Sequence, residues 1–169
     1  MSDPIIDLHS DDYFMGEALR QAAKAYQAGE VPVGAVIVRG GRIIARAGNQ
    51  VETLKDATAH AEMLALTQAQ SAIGDWRLNE CTIYVTKEPC PMCAGALVHT
   101  RVARVVFGAS DPKAGAAGGA MNLLQFPTLN HHCEITAGLR LNECRSMLQN
   151  FFIEQRANKK NGEDACAEP

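Results

Sequence analysis

An α/β sandwich built on a mixed sheet is the fold class the sequence predicts, on three observations. Strand-like and helix-like segments alternate after an initial hairpin. The 169 residues include 47% apolar and 21% charged side chains, ordinary values for one globular core. No repeat or low-complexity segment divides the chain.

The elements follow in order. Ser10-Asp-Asp opens a helix over 10–28, because cap-type and acidic residues suit a helix N-terminus. Phe14, Ala18, Ala22 and Ala25 recur at helical spacing, and Gly29 supplies a stop. Residues 34–38 and 42–46 flank Gly40-Gly41, a hairpin signal. Residues 49–55 read as loop. A helix over 58–73 carries His60 and Glu62 in its first turn and is closed by Gly74. A strand over 82–86 breaks at Glu88-Pro89, and a helix over 91–99 starts on a proline, which the first helical position tolerates. A buried strand over 102–108 leads to a Gly- and Ala-rich loop over 110–119, too long and too small in side chains to be mere connection. A short strand near 133–136 and a helix over 141–160 complete the expected domain, residues 1–160. Residues 161–169 read as a disordered tail.

No apolar run reaches transmembrane length, and the acidic Met1-Ser-Asp-Pro start does not resemble a targeting peptide, so a cytoplasmic location is the default. Six cysteines are present, but only Cys90 and Cys93 have ligand spacing. Cys81, Cys133 and Cys144 read as small buried hydrophobes, and Cys166 as a tail thiol. The formal net charge of −3 argues against a generic nucleic-acid coat but leaves room for a local basic stripe.

The chemistry concentrates in His60-Ala61-Glu62 and Pro89-Cys90-Pro91-Met92-Cys93. Two thiolates and an imidazole suit Zn2+, and three protein ligands leave the open position that catalytic zinc sites keep. A closed structural site, with Cys81 or His131 as fourth ligand, is the alternative. Glu62 favours catalysis. Two residues from His60 on a helix, it points away from the shared ion and toward a water that zinc activates, whose proton it can carry. Hydrolytic removal of an amine from a ring carbon suits that chemistry, and His-x-Glu followed by Pro-Cys-x-x-Cys is the known signature of zinc nucleobase deaminases.

Five stretches carry a more specific resemblance: Glu30-Val-Pro-Val-Gly-Ala35, Ala59-His-Ala-Glu62, Glu88-Pro-Cys-Pro-Met-Cys-Ala-Gly-Ala96, Val105-Val-Phe-Gly-Ala109 and Gly115-Ala-Ala-Gly118. Over 12–156 the chain resembles the bacterial tRNA-specific adenosine deaminases of the cytidine-deaminase-like superfamily. The resemblance implies a three-layer α/β/α fold with a mixed five-stranded sheet, one Zn2+ per subunit and a homodimer. It also implies conversion of adenosine to inosine at the wobble position of a tRNA anticodon stem-loop, that of tRNA-Arg, with the base flipped out of its stack. By the same resemblance Asn49 hydrogen-bonds ribose or base, Val31 and Pro32 wall the pocket, and the Ala59 backbone and Glu62 side chain touch the ring. Asp111 and Lys113 lie near flanking nucleotides, where Asp111 can accept from a 2′-hydroxyl. His131 matches a family histidine that meets either RNA or a strand-end carbonyl. Family members commonly carry hydroxyl residues where this chain has Ala114 and Gly119.

Local charge fits an RNA footprint. Residues 101–113 carry a net +2 and residues 140–160 a net +3. Phe152 beside Arg156 can offer a stacking ring, with Phe151-Phe152 expected to give at least one ring to the core. Two rival functions share the metal set: deamination of a free base or nucleotide, and a catalytically dead zinc-stabilised module. The 110–119 loop and the basic final helix speak against the first, and Glu62 against the second.

Overall fold

Five strands form one sheet in the order β2-β1-β3-β4-β5 in the computed structural model, which describes residues 7–165. β1 (Gly34–Arg39) pairs antiparallel with β2 (Arg42–Gly48) and with β3 (Cys81–Lys87). β4 (Arg104–Ala109) and β5 (Glu134–Ala137) continue the sheet in parallel. The first two strands are a hairpin turning on Gly40-Gly41, both at positive φ, which only glycine adopts without penalty. The later strands need crossovers, supplied by helices, as parallel pairing requires.

Helices cover both faces. Alternate residues of each strand divide between them: Ala35, Ile37, Ile83, Val85, Val105 and Phe107 meet α3 (Ala61–Ile73) and α4 (Pro91–His99). Val36, Val38, Tyr84 and Val106 meet α1 (Asp11–Gln27) and α5 (Leu141–Ala165). The period-2 pattern thus builds two cores from one sheet. Phe14, Ala18, Ala22 and Ala25 are all buried. The small residues of α1 let it lie backbone-close on the hairpin, since a Cβ at Gly34 would stand 2.1 Å from the Ala18 carbonyl oxygen.

Four expectations shift. The 49–55 loop contains a short helix, α2 (Val51–Leu54). α3 begins at Ala61, with His60 as its N-cap rather than inside its first turn. α5 runs to Ala165, so the expected tail is helical that far; residues 166–169, with Cys166, lie outside the described residues. Arg104 is less available to phosphate than its place in the basic stretch suggests. It pairs with Asp11 at 2.7 Å and bonds Thr136 at 2.9 Å. No described helix is long and apolar enough to cross a membrane.

Candidate metal centre and active site

Two helix N-termini meet at the ends of the strands. His60 is the N-cap of α3 and Cys90 the N-cap of α4, both with extended backbone, and neither side chain caps its own helix. They turn instead toward each other. His60 Nδ1 lies 3.6 Å from Cys90 Sγ and 3.5 Å from Cys93 Sγ, and all three ligand atoms fall within 4.8 Å of one another. A tetrahedral zinc ion with ordinary Zn–N and Zn–S bonds would set nitrogen and sulfur about 3.6 Å apart, so the donor set fits in kind and in spacing. Pro91 occupies the first helical position, where its missing N–H costs no hydrogen bond.

The electrostatics follow from burial and from the hydrogen bonds within the cluster. Hydrogen bonds from Cys93 and His60 hold the Cys90 thiol down to about 3, the thiolate form that a metal needs. The same bond to Cys90, with burial, pushes the Cys93 thiol up. Glu62 is 4% exposed, and desolvation pushes its carboxyl above the usual range.

A fourth protein ligand is absent among the described residues. Cys81 begins β3 while Cys90 follows its other end, roughly 20 Å of extended chain away. His131 sets its Nε2 2.7 Å from the Val102 carbonyl oxygen, the strand-end alternative of the two foreseen for it. Cys81, Cys133 and Cys144 are buried free thiols. The remaining side of the cluster opens on a cavity of about 340 Å³ that Val31, Val33, Asn49, His60, Glu62, Cys90 and Phe152 help to line.

The structure brings six of the anticipated residues, Val31, Asn49, His60, Glu62, Cys90 and Phe152, to this cavity. Asn49 is 7% exposed and lines it. Phe152 stands at its edge and also lines a wider cleft along α5 with Gln155, Arg156 and Lys159. Phe151 instead turns inward and packs on Tyr26, ring centroids 5.5 Å apart. Pro32 does not wall the cavity. The Val33 N–H donates to the Val31 carbonyl across a tight three-residue turn, and Pro32, buried at its apex, leaves the wall to Val31 and Val33. Ala59 is buried with its N–H donated to Asp56 and its carbonyl accepting from Gln50, so its backbone serves the turn before α3. Asp111 and Lys113 sit on the separate loop after β4. Lys113 is exposed, and the Asp111 carboxylate is held by Lys87 and by the N–H groups of Lys113 and Ala114.

Sequence reasoning missed two buried carboxylates beside the cavity. Glu30 is 1% exposed and accepts from the N–H of Glu52 and of Thr53 and from the Thr53 hydroxyl, which fastens α2 behind Asn49. These bonds and Lys55 hold its carboxyl below the usual range against the opposing pull of burial. Glu88 is 2% exposed. The only signal for either was its place in a motif stretch, next to an apolar turn residue or to Pro89.

The geometry coincides with relatedness. The MafB19-like deaminase family matches residues 9–156. A Bacillus subtilis (strain 168) protein named tRNA-specific adenosine deaminase is 54% identical over 150 residues, 89% of this chain and 93% of its own. The chain belongs to the MafB19-like deaminases, on the branch of the tRNA-specific adenosine deaminases. A structure from a study of A-to-I editing by tRNA:A34 deaminases at the wobble position of transfer RNA superimposes with TM-score 0.78 at 43% identity, covering 80% of this chain and 99% of its own. A Bacillus subtilis guanine deaminase follows the fold less closely, with TM-score 0.59 at 34% identity over 74% of this chain and 83% of its own. Both deaminases are the mixed-sheet α/β fold that the strand order above describes.

Proposed function

We propose that this protein hydrolyses adenosine to inosine at the wobble position of a tRNA anticodon, releasing ammonia. The observation that carries it is a three-ligand cluster beside the buried Glu62 and a cavity that shares Val31, Glu52 and Phe152 with the α5 cleft. A free base needs the cavity alone. A nucleotide held within RNA needs the cleft as well, because its neighbours must lie somewhere while the base is flipped. Arg156 and Lys159 give that cleft cationic side chains for phosphate, and Phe152 a ring at the mouth.

His60, Cys90 and Cys93 would hold one Zn2+, which supplies the Lewis acidity that brings a water toward a neutral pKa. The chain's own groups do the rest. Glu62 takes the two protons of the attacking water in turn, passing one to the purine ring nitrogen and the other to the departing amine, so that oxygen stays on C6 as the carbonyl and ammonia leaves. Its burial suits that exchange, because desolvation pushes the carboxyl upward and makes it a stronger proton acceptor. Asn49 donates to or accepts from the ribose or base, and Val31 packs on the ring. Lys113 meets the flanking backbone, and Asp111 acts through the loop it braces. The family resemblance supports tRNA-Arg as the partner, a homodimer as the assembly and the cytoplasm as the location.

The test is to incubate the purified protein with a tRNA-Arg anticodon stem-loop bearing a wobble adenosine and to assay inosine by mass spectrometry of the digested RNA. Inosine is expected. Turnover of guanine or cytidine without inosine would replace this reading with the small-molecule one, and turnover of nothing would overturn both.

A further inference from the structure

The three residues before Cys90 all grip the same loop. Lys87 pairs with the Asp111 carboxylate. The Pro89 carbonyl accepts from the Ala116 N–H at 2.8 Å. Between them the Glu88 carboxylate accepts from three backbone amides: Oε2 from Asp111 at 2.7 Å, Oε1 from Ala117 at 3.0 Å and from Gly119 at 2.7 Å. Its own N–H donates to the Ala109 carbonyl at the end of β4. A buried carboxylate is costly unless its lone pairs are met, and here converging loop amides meet them. The loop backbone closes on that carboxylate where side chains are missing. A Cβ at Gly115 would stand 2.2 Å from Glu88 Cδ, and one at Gly119 would stand 2.6 Å from Glu88 Oε2 and 2.3 Å from the Asp111 carbonyl oxygen.

We infer that Glu88 is a positioning residue that clamps the 111–119 loop to the strand end from which Cys90 follows, so that loop and metal ligand share one rigid frame. The loop's outer side, from Pro112 to Ala114, is exposed, while Ala116 and Ala117 are buried in the core shared with α3 and α4. Glu88 borders the cavity but is 2% exposed, with its carboxylate spent on loop amides, so it fixes the loop from inside. This rests on the reading that the loop meets RNA.

Two variants isolate the clamp. Glu88→Gln keeps the shape but turns an amide N–H2 toward at least one loop N–H, donor against donor. Gly119→Ala keeps the carboxylate and pushes the loop off it. Wild type and both variants are compared by zinc content, by backbone hydrogen exchange and by kinetics on the anticodon stem-loop. Faster exchange confined to residues 110–120, one zinc per chain, and a KM raised about tenfold with kcat within about threefold are expected, the loss of one charge-assisted clamp. Unchanged loop exchange, unchanged KM, or zinc loss with protection lost along the whole chain would overturn the inference. If Glu88→Gln fails to fold, Gly119→Ala decides. If wild type makes no inosine, the functional reading fails and the exchange data alone judge the clamp.

Discussion

The Lys87 ammonium and the Asp111 carboxylate form an ion pair that joins the end of β3 to the loop after β4. The Asp111 side chain is 18% exposed, and Lys87 together with the Lys113 and Ala114 N–H groups holds its carboxyl below the usual range. A group whose folded pKa lies below its unfolded value contributes stability above the unfolded value, and loses it as pH falls through the folded one. Asp111→Asn cannot titrate. The wild type should therefore exceed the variant by about 1–2 kcal/mol above pH 5, with the gap closing below about pH 4. Urea denaturation from pH 2 to 7 measures it, and a gap that persists at pH 2 would show that the pair is not its source.

Glu62→Gln should fold, bind zinc and lose inosine formation by about 10²–10⁴-fold, the range for a lost proton carrier. Metal analysis and single-turnover assays on the stem-loop read both quantities. Turnover near wild type would remove Glu62 from the chemistry.

The ligand set makes a contrast among the cysteines. Cys93→Ala should lose stoichiometric zinc and all activity, since it breaks the only three-ligand cluster among the described residues. Cys81→Ala and Cys133→Ala should keep one zinc per chain and lose about 1–3 kcal/mol through the small cavities they leave. Zinc loss in Cys81→Ala would revive a closed, four-ligand site.

Glu30→Gln tests the second buried carboxylate. It replaces one acceptor oxygen with an amide among the Glu52 and Thr53 donors, so stability should fall by about 1–3 kcal/mol. Because α2 begins two residues after Asn49, the KM for the stem-loop should rise as well. Hydrogen exchange at residues 51–54 reports whether α2 has frayed, and an unaltered rate there would show that Glu30 does not hold it.

Much of this was legible in the chain before any coordinates. Pro91 sets a helix start, Gly74 a helix stop and Gly40-Gly41 a turn, because each acts through its own backbone. The start of α3 was harder. The expected helix begins at Thr58, yet the Asp56 carboxylate takes the Thr58 N–H and hydroxyl in a local turn, and the helix waits for His60. α2 was invisible because its four residues carry no periodicity. A distant partner, Glu30, supplies the acceptors its N-terminus needs.

The sequence by itself marked the candidate donors, His60, Cys90 and Cys93 by type and spacing and Glu62 by its offset from His60, and the alternation that makes an α/β sandwich on a mixed sheet. Those are local facts of bonding preference and side-chain period. The tertiary structure alone decided that the candidate ligand cluster has three members and not four among the described residues. That outcome depends on Cys81 lying at the far end of β3 and on His131 being held by Val102. It decided too that Phe151 goes to the core and Phe152 to the cleft, and that Glu88 closes the 111–119 loop. Each of these depends on which atoms of distant segments come within hydrogen-bond or van der Waals reach, a distance that no spacing along the chain encodes.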